Sequence, residues 1–457
     1  MGRTKVVPVL ACCAAMFTAM MPISGATPEG TGEDPAPADP APADLETAVR
    51  RDLHIELSEY MNRAATAQRL AEFEKLARAA YPMVFAGVRM DGPRALVSLS
   101  DGTGFDVAAK AVRQAGFEVV RVASSAATLQ QQREAVRKWI ATQPRETANV
   151  FIGDAVDVGR NTVVVYTSGT TAQVPSGLGA VELVVVDEPQ PGPGLDDPEI
   201  PVTIAAPGEP YKGGQPFRIA FDATRYGKCS LGFNATDAAG HDVAITAGHC
   251  DPNNLVDPSA KTAEPHKIYD YADDSLGDEL GHFGTSEFGP HDYSILQIND
   301  DQVARFRNNL VVGGPAGPSP ATPPGGGSVG SAALVSQAAA DTIAIDGVAS
   351  PVSGMPACKS GAITGYTCGT VDMVGQTFNE GGLPGTTRKV KVEGFFSVST
   401  CSVQGDSGGS VLSGTKALGL VSGGTSQNHQ CADTDILTAQ PIDAVLAANP
   451  GLALRKN

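Results

Sequence analysis

The sequence is short of positive charge and of long apolar segments. Lys and Arg number 33 against 50 Asp and Glu, which gives a formal net charge of −17. This deficit argues against a basic nucleic-acid-binding surface. After the N-terminal region, no apolar run is long enough to cross a membrane. We therefore expect no nucleic acid as a partner, and no membrane once the N-terminal segment has been removed.

Cysteine is absent from the long stretch between Cys13 and Cys229. Residues 1–26 have the layout of a secretory signal peptide, with Arg3 and Lys5 before an apolar stretch and small residues at 24–26. We therefore predict a secreted, extracellular protein from which Cys12 and Cys13 are removed. Six cysteines then remain, which are Cys229, Cys250, Cys358, Cys368, Cys401 and Cys431. An even number in an oxidising compartment predicts disulfides, although six cysteines allow fifteen connectivities.

Composition divides the first half into a spacer, a folded domain and a linker. Residues 27–44 are Pro/Ala/acid repeats that cannot form a core, so we predict a disordered spacer. Residues 45–186 combine a helical pattern over 45–80 with later helices and strands, and predict a small α+β domain. Residues 187–216 are rich in Pro and Gly and predict an exposed linker. We expect the maturation cut between Pro207 and Pro216.

Residues 217–457 have a different texture. Short β-type runs recur between Gly, Asn and Asp turns, including one over 230–234. Such runs are typical of an all-β barrel or sandwich. A single helix is predicted near the end, over 442–448.

Three short segments of this second half carry reactive side chains. They are TAGHC (246–250) with His249, HDYSI (291–295) with Asp292, and GDSGG (405–409) with Ser407. A serine hydroxyl needs an imidazole to remove its proton, and the imidazole needs a buried carboxylate to fix its tautomer. Glycines beside the serine let main-chain N–H groups point at a developing oxyanion. The order His, Asp, Ser predicts a catalytic triad of the chymotrypsin order.

The second half resembles the bacterial chymotrypsin-like serine proteases of the streptogrisin and α-lytic type, in peptidase family S1. The shared stretches are CSLGF (229–233), TAGHC (246–250), DYSI (292–295), CKSGAITGYTCGTV (358–371), CSVQGDSGGS (401–410) and GLVSGGT (419–425). The first half is similar to the propeptides of such enzymes, most clearly at VDVGRNTVVV (156–165). The resemblance implies an all-β, double β-barrel protease domain with a C-terminal helix over 217–457, preceded by an α+β pro-domain.

The resemblance also implies roles for individual residues. His249 would act as general base and then general acid, Asp292 would orient it, and Ser422 would hydrogen-bond Asp292. The N–H groups of Gly405 and Ser407 would form the oxyanion hole. The activity implied is hydrolysis of peptide bonds in protein or peptide substrates through an acyl-enzyme. We expect a monomer that needs neither a cofactor nor a metal.

The cysteines of such a protease would fall into the sequential pairs Cys229–Cys250, Cys358–Cys368 and Cys401–Cys431. In the bacterial relatives a basic side chain just after the third cysteine of the domain pairs with the acid before the nucleophile. Lys359 occupies that place, so an Asp406–Lys359 ion pair is implied, with a solvated lysine as the alternative. Cutting the linker would then not itself assemble the oxyanion hole. The pro-domain would instead act as an intramolecular chaperone and inhibitor.

Specificity follows from an alignment with the same family. The base of the primary pocket would lie near Cys401, with walls formed by Ser402, Val403, Gln404, Ser422, Gly423 and Gly424. No Asp stands at this base, which disfavours cleavage after Arg or Lys, and no His stands in GLVSGG to support a glutamate pocket. We therefore expect uncharged, apolar residues before the cut.

Two other functions fit parts of the sequence. GDSGG also matches the G-x-S-x-G turn of secreted esterases, but that fold places its acid and His after the serine and follows the serine with a helix. Only His429 lies after Ser407, and the segment that follows is strand-like. The other alternative is a catalytically inactive protease-fold binding protein, which an organophosphonate probe would not label.

Overall fold

The fold is described here from a computed structural model. The structure describes residues 43–169, 172–186, 194–195, 208–221, 226–271, 276–313, 342–381, 389–426, 431–432 and 434–456. The predicted signal peptide, the spacer up to residue 42 and most of the predicted linker lie outside these residues. Residues from Ala41 onward form one compact unit. In the part of the chain that is described, no helix is both long and apolar enough to cross a membrane.

The N-terminal part, residues 43–186 as described, mixes helices and strands. In chain order these are α1 (Ala43–Ala48), α2 (Leu57–Ala80), β1 (Phe85–Asp91), β2 (Arg94–Ser100), α3 (Phe105–Gln114), β3 (Glu118–Val122), α4 (Ala126–Ala141), α5 (Arg145–Ala148), β4 (Phe151–Asp157), β5 (Thr162–Thr167) and β6 (Val181–Val185). The helical pattern over 45–80 is interrupted in the structure. After α1 the chain forms a wider turn at Val49–Leu53 and then adopts a left-handed conformation at His54, with φ 56°. This break separates α1 from α2 and turns the chain between them.

The two-barrel part comprises the described residues of 208–456 and follows a short linker strand. Its elements, with that strand first, are β7 (Gly194–Leu195), β8 (Pro216–Ala220), β9 (Tyr226–Ser230), β10 (Phe233–Thr236), β11 (Asp242–Thr246), α6 (Pro252–Leu255), β12 (Lys267–Tyr271), β13 (Leu276–Phe288), β14 (Asp292–Ile298), α7 (Val303–Phe306), β15 (Leu310–Val312), β16 (Thr342–Ala344), β17 (Gly347–Val348), β18 (Pro356–Gly361), β19 (Gly365–Gly381), β20 (Lys389–Val398), β21 (Ser410–Ser413), β22 (Lys416–Gly424), β23 (Leu437–Pro441), α8 (Ile442–Ala448) and β24 (Ala453–Leu454).

One predicted strand is wrong, and the reason is a close approach of backbone. The run over 230–234 is divided between β9 and β10. Gly232 lies between them, where a Cβ would stand 2.7 Å from the carbonyl oxygens of Gly408 and Ile245. The chain therefore needs glycine to pass this point. The predicted C-terminal helix matches α8.

Two antiparallel sheets organise the two-barrel part. The first has the order β24-β10-β11-β14-β13-β12-β8-β9-β7. The second has the order β18-β21-β22-β23-β20-β19, and β18 also pairs with β19, so six strands close into a barrel. Closure pairs the first and the last of these six strands with each other. The predicted all-β, double-barrel fold with a C-terminal helix is confirmed.

Each sheet covers an apolar core. The core of the first sheet includes Phe217, Phe283 and Leu296, and that of the second includes Phe396 and Val421 among its fully buried side chains. Alternate residues of each strand point inward, which is why these side chains meet at the centre. Both cores position loops at the join between the two sheets, where the reactive side chains lie.

The second sheet extends into the N-terminal part. Strand β4 pairs antiparallel with β19, with Thr377 opposite Asp154 and Phe378 opposite Gly153. Strands β5 and β6 continue the same sheet outward. The N-terminal part is therefore joined to the second barrel by main-chain hydrogen bonding as well as by side-chain packing.

Candidate active site

His249 stands in the short turn Gly248–Cys250 that follows β11. The turn is fastened by the Cys229–Cys250 disulfide, which ties it to β9. Asn254 adds a further hold, since its side-chain amide donates to the Gly248 carbonyl at 2.9 Å. The imidazole is fully buried. Burial and these tethers restrict the orientations that the imidazole can adopt.

Asp292 opens β14 and fixes the orientation of His249. Its Oδ2 lies 2.8 Å from His249 Nδ1, and its Oδ1 accepts the His249 backbone N–H at 2.8 Å. The Ser422 hydroxyl donates to Oδ2, and the Asp292 backbone N–H donates to Gln440 Oε1 at 2.9 Å. Because Nδ1 faces the carboxylate, the arrangement favours the tautomer that carries its proton on Nδ1 and leaves Nε2 as a base. Sequence reasoning missed Gln440.

Ser407 lies in a tight turn that packs beside the histidine turn. Gly405 and Gly408 on either side of it adopt left-handed backbone conformations, with φ 102° and 82°. The Ser407 carbonyl accepts the Ser230 N–H at 2.8 Å and lies 3.9 Å from Cys250 Sγ. The Ser230 hydroxyl donates to the Gly405 carbonyl at 2.8 Å. Strand β9 therefore holds both arms of the turn against the segment that carries the imidazole.

Asp406, the residue before Ser407, is fully buried and receives several hydrogen bonds. Its Oδ1 accepts the backbone N–H groups of Ile363 at 2.9 Å and Thr364 at 3.0 Å. Its Oδ2 accepts the Val403 N–H at 3.1 Å and the Thr364 hydroxyl. The donors on Ile363 and Thr364 anchor the serine turn to the loop between β18 and β19.

Lys359 lies near Asp406, and the Thr364 hydroxyl bridges the two side chains. Its Nζ lies 3.7 Å from Asp406 Oδ2 and donates to the Thr364 hydroxyl and to the Gly365 carbonyl, the latter at 2.9 Å. Burial lowers the pKa of Lys359, and the neighbouring Asp406 carboxylate opposes that shift. The two residues implied as an ion pair are thus brought together around the Thr364 hydroxyl. Sequence reasoning missed Thr364, although it lies inside the shared stretch 358–371.

The residues implied as pocket walls are also brought together. Ser402, Val403, Gly423 and Gly424 are buried, and Gln404 is partly exposed. A Cβ on Gly424 would stand 2.6 Å from the Ser402 carbonyl oxygen, so the two walls touch at this point. Any side chain there would have to displace main chain.

An acidic side chain near this pocket was not expected. Asp435 is almost fully buried, and its carboxylate lies within 4.8 Å of Cys401 Sγ. Its Oδ2 accepts the Ser426 hydroxyl and the Ala432 N–H, both at 2.8 Å. These two bonds use that oxygen to brace the loop closed by the Cys401–Cys431 disulfide. The structure also contains the Cys358–Cys368 disulfide.

No protein-family model matches the chain. Streptogrisin-C of Streptomyces griseus is 24% identical over 434 residues, which cover 93% of this chain and 78% of that protein. Streptogrisin-D of the same organism is 27% identical over 221 residues, covering 48% of this chain but only 43% of that protein. Among solved structures, a Nocardiopsis protease is 26% identical with a TM-score of 0.36 and covers 54% of this chain and 99% of its own.

The prediction of a bacterial chymotrypsin-like serine protease is confirmed. The similarity to streptogrisin-C extends over most of this protease, so it reaches beyond the two-barrel part. The esterase alternative does not fit, because Ser407 is followed by strand β21 where the esterase turn is followed by a helix.

Proposed function

We propose that this protease is a secreted serine endopeptidase whose catalytic triad is His249, Asp292 and Ser407. The observation that carries the proposal is the two-point contact of Asp292 with His249, at 2.8 Å to both Nδ1 and the backbone N–H. One bond holds the main chain of His249, and the other orients its imidazole. Such an orientation is what a general base needs before it can take a proton from serine.

The proposed reaction has two halves. His249 Nε2 takes the hydroxyl proton of Ser407 as Oγ bonds to the carbonyl carbon of the peptide. The proton then passes to the leaving amine as the C–N bond breaks, and an acyl-enzyme remains. A water molecule next gives its proton to His249 and attacks the ester, and that proton returns to Ser407 Oγ as the acid product leaves. Asp292 stabilises the imidazolium in both halves.

The proposed oxyanion hole consists of the N–H groups of Gly405 and Ser407. The support is the serine turn itself, in which the backbone N–H groups of Thr364 and Val403 donate to the two carboxylate oxygens of Asp406. We propose that this preassembled turn makes the oxyanion hole independent of a new N-terminus. Removing one such donor typically costs about 10²–10³ in rate.

We further propose that residues 45–186 are a pro-domain that assists folding of the protease domain, residues 217–457, and blocks its cleft. The support is the pairing of β4 with β19 and the contacts of two arginines across it. Arg133 and Arg137 both donate to the Thr377 hydroxyl, at 3.1 and 2.7 Å. Secretion is supported by the three disulfides, which are typical of oxidising compartments. We propose that the mature enzyme is a monomer acting on proteins or peptides.

The test is to secrete the full chain and the Ser407→Ala variant and to expose both to an organophosphonate probe. We expect Ser407 to be labelled in the mature wild-type enzyme and the variant to lack nearly all activity. Intact-mass measurement of the secreted enzyme locates its N-terminus in the same experiment. Peptide cleavage by Ser407→Ala at a rate comparable to wild type would refute the assignment.

A peptide-library digest tests the proposed pocket. Ser402, Val403, Gln404, Gly423 and Gly424 provide no charge, so we expect cleavage after uncharged residues. A strong preference for Arg or Lys would contradict this and would implicate Asp435.

A further inference from the structure

One edge of β19 is covered by two side chains of the N-terminal part. Arg51 Nη2 donates to the Tyr366 carbonyl at 2.9 Å, and Asp52 Oδ2 accepts the Cys368 N–H at 2.8 Å. Arg51 and Asp52 are joined to each other by two hydrogen bonds of 2.6 and 2.7 Å. The guanidinium and the carboxylate therefore bind the strand as one planar unit.

The register of the hairpin explains what this unit replaces. Strand β18 pairs with β19 so that Lys359 stands opposite Thr367, with Cys358 opposite Cys368 on one side of that pair. In an antiparallel strand, the N–H and C=O groups of successive residues point to opposite edges, so those of alternate residues share one edge. Tyr366 and Cys368 thus present one acceptor and one donor away from β18. Arg51 and Asp52 supply the matching donor and acceptor, as a neighbouring strand would.

The segment that carries this pair is firmly seated on the second barrel. Leu45 and Val49 are fully buried in a core cluster that also contains Tyr366 and Leu412. Farther along, the fully buried Tyr60 accepts the Gly414 N–H on its hydroxyl at 2.9 Å. Apolar burial on both sides of the pair holds it in place, so its bonds to β19 are formed at low entropic cost.

The hairpin under this pair is the one that holds the serine turn. Its loop gives two backbone N–H groups and the Thr364 hydroxyl to Asp406, and its strand β18 gives Lys359. The hairpin must therefore be in register before Asp406 can be fixed next to Ser407. Groups that hold the outer edge of β19 therefore affect the oxyanion turn through the β18–β19 hairpin.

We propose that Arg51 and Asp52 form a template clamp that sets the register of the β18–β19 hairpin while the oxyanion turn assembles. This inference rests on the proposed role of residues 45–186 as a pro-domain. Arg51 and Asp52 are positioning residues that never touch substrate. Once Asp406 is anchored, its own hydrogen bonds keep the hairpin in place, and water replaces the clamp after the pro-domain is degraded.

The experiment compares the full-length precursors of wild type, Asp52→Ala, Asp52→Asn, Arg51→Ala and Arg50→Ala. Arg50 is the matched control, because it neighbours Arg51 but pairs with Glu46 and Glu56 inside the N-terminal part. Hydrogen exchange is measured for backbone amides in 364–370 and, as an internal reference in the same barrel, in 389–398. Each precursor is also refolded from denaturant with its disulfides intact. The pro-domain is then digested, and active sites are titrated with the organophosphonate over time.

We expect Asp52→Ala and Arg51→Ala to raise exchange in 364–370 by about tenfold or more, the loss typical of a hydrogen bond to a charged group. Exchange in 389–398 should stay at the wild-type rate, and active sites should appear about tenfold more slowly. Asp52→Asn retains one acceptor and should recover part of both effects, while Arg50→Ala should match wild type. The mature enzymes, which have lost these residues, should share one kcat and one KM.

Two results would overturn the clamp. One is hairpin exchange and refolding of Asp52→Ala equal to those of Arg50→Ala. The other is an equal loss of protection in 364–370 and 389–398, which would mean a general loss of stability. Failure of the probe to label the wild-type enzyme would instead refute the proposed protease mechanism, and the exchange comparison would still decide the clamp.

Discussion

Replacing Thr364 by Val tests how Asp406, the residue before the proposed nucleophile Ser407, is held. The Thr364 hydroxyl donates to Asp406 Oδ2 and accepts from Lys359 Nζ, and all three side chains are buried. Valine keeps the shape of threonine but has a methyl group in place of the hydroxyl. The substitution therefore removes two hydrogen bonds to charged groups without opening a cavity.

The expected loss follows from the distances. Hydrogen bonds to charged groups contribute about 1.5–3 kcal/mol each, so losing two would cost about 3–6 kcal/mol. However, Lys359 Nζ lies only 3.7 Å from Asp406 Oδ2. Closing that gap by about 0.9 Å would form a direct charged hydrogen bond and recover one of the two. We therefore expect the free energy of unfolding to fall by about 1.5–3 kcal/mol.

The movement of Asp406 toward Lys359 should also lower the rate of the reaction. As Asp406 moves toward Lys359, the N–H groups of Gly405 and Ser407 move with it, and we expect kcat to fall about tenfold to a hundredfold while KM stays within about twofold. Chemical denaturation and steady-state kinetics of the mature enzyme measure both quantities. Thr364→Ser, which keeps the hydroxyl, is the control and should retain kcat. A Thr364→Val enzyme with wild-type kcat and stability would show that the hydroxyl does not support the turn.

Three further outcomes follow from the site and from the joined sheets. Asp292→Asn should lower kcat about 10⁴-fold by favouring the wrong tautomer of His249, and a fall below tenfold in steady-state kinetics would exclude the triad. Gly424→Ala places a Cβ 2.6 Å from the Ser402 carbonyl, so kcat/KM should fall more for large than for small residues before the cut. Burial raises the pKa of Tyr166 to about 12, whereas the unfolded value is about 10. Between pH 10 and 12 the unfolded chain therefore loses this proton while the folded precursor keeps it. The free energy of unfolding of the precursor is highest below pH 10 and falls as pH rises toward 12, and Tyr166→Phe should reduce that fall in pH-dependent unfolding.

Local sequence patterns predicted the parts of the fold that depend on local chemistry. Helix α8 matches its expected bounds, because apolar periodicity and turn residues are properties of neighbouring positions. Strands β18 and β19 were not predicted as strands. The stretch 358–371, which forms most of β18 and the start of β19, is rich in Gly, Ser, Thr and Cys. Its strand conformation depends on pairing with β20 and β21. The break after α1 was missed because the apolar spacing runs through it.

The sequence by itself predicted the reactive set and the fold class. His249, Asp292 and Ser407 stand in short motifs whose residue types indicate their chemistry. An even number of cysteines predicts disulfides, and short β-type runs between turn residues predict an all-β domain. Only the tertiary structure decided which groups support that set. Thr364 between Lys359 and Asp406, Asp435 beside Cys401, and Arg51 with Asp52 on the edge of β19 are contacts between distant positions. Asp52 and Cys368, for example, are 316 residues apart. Such contacts depend on the folded path of the chain, and no local pattern of residues encodes them.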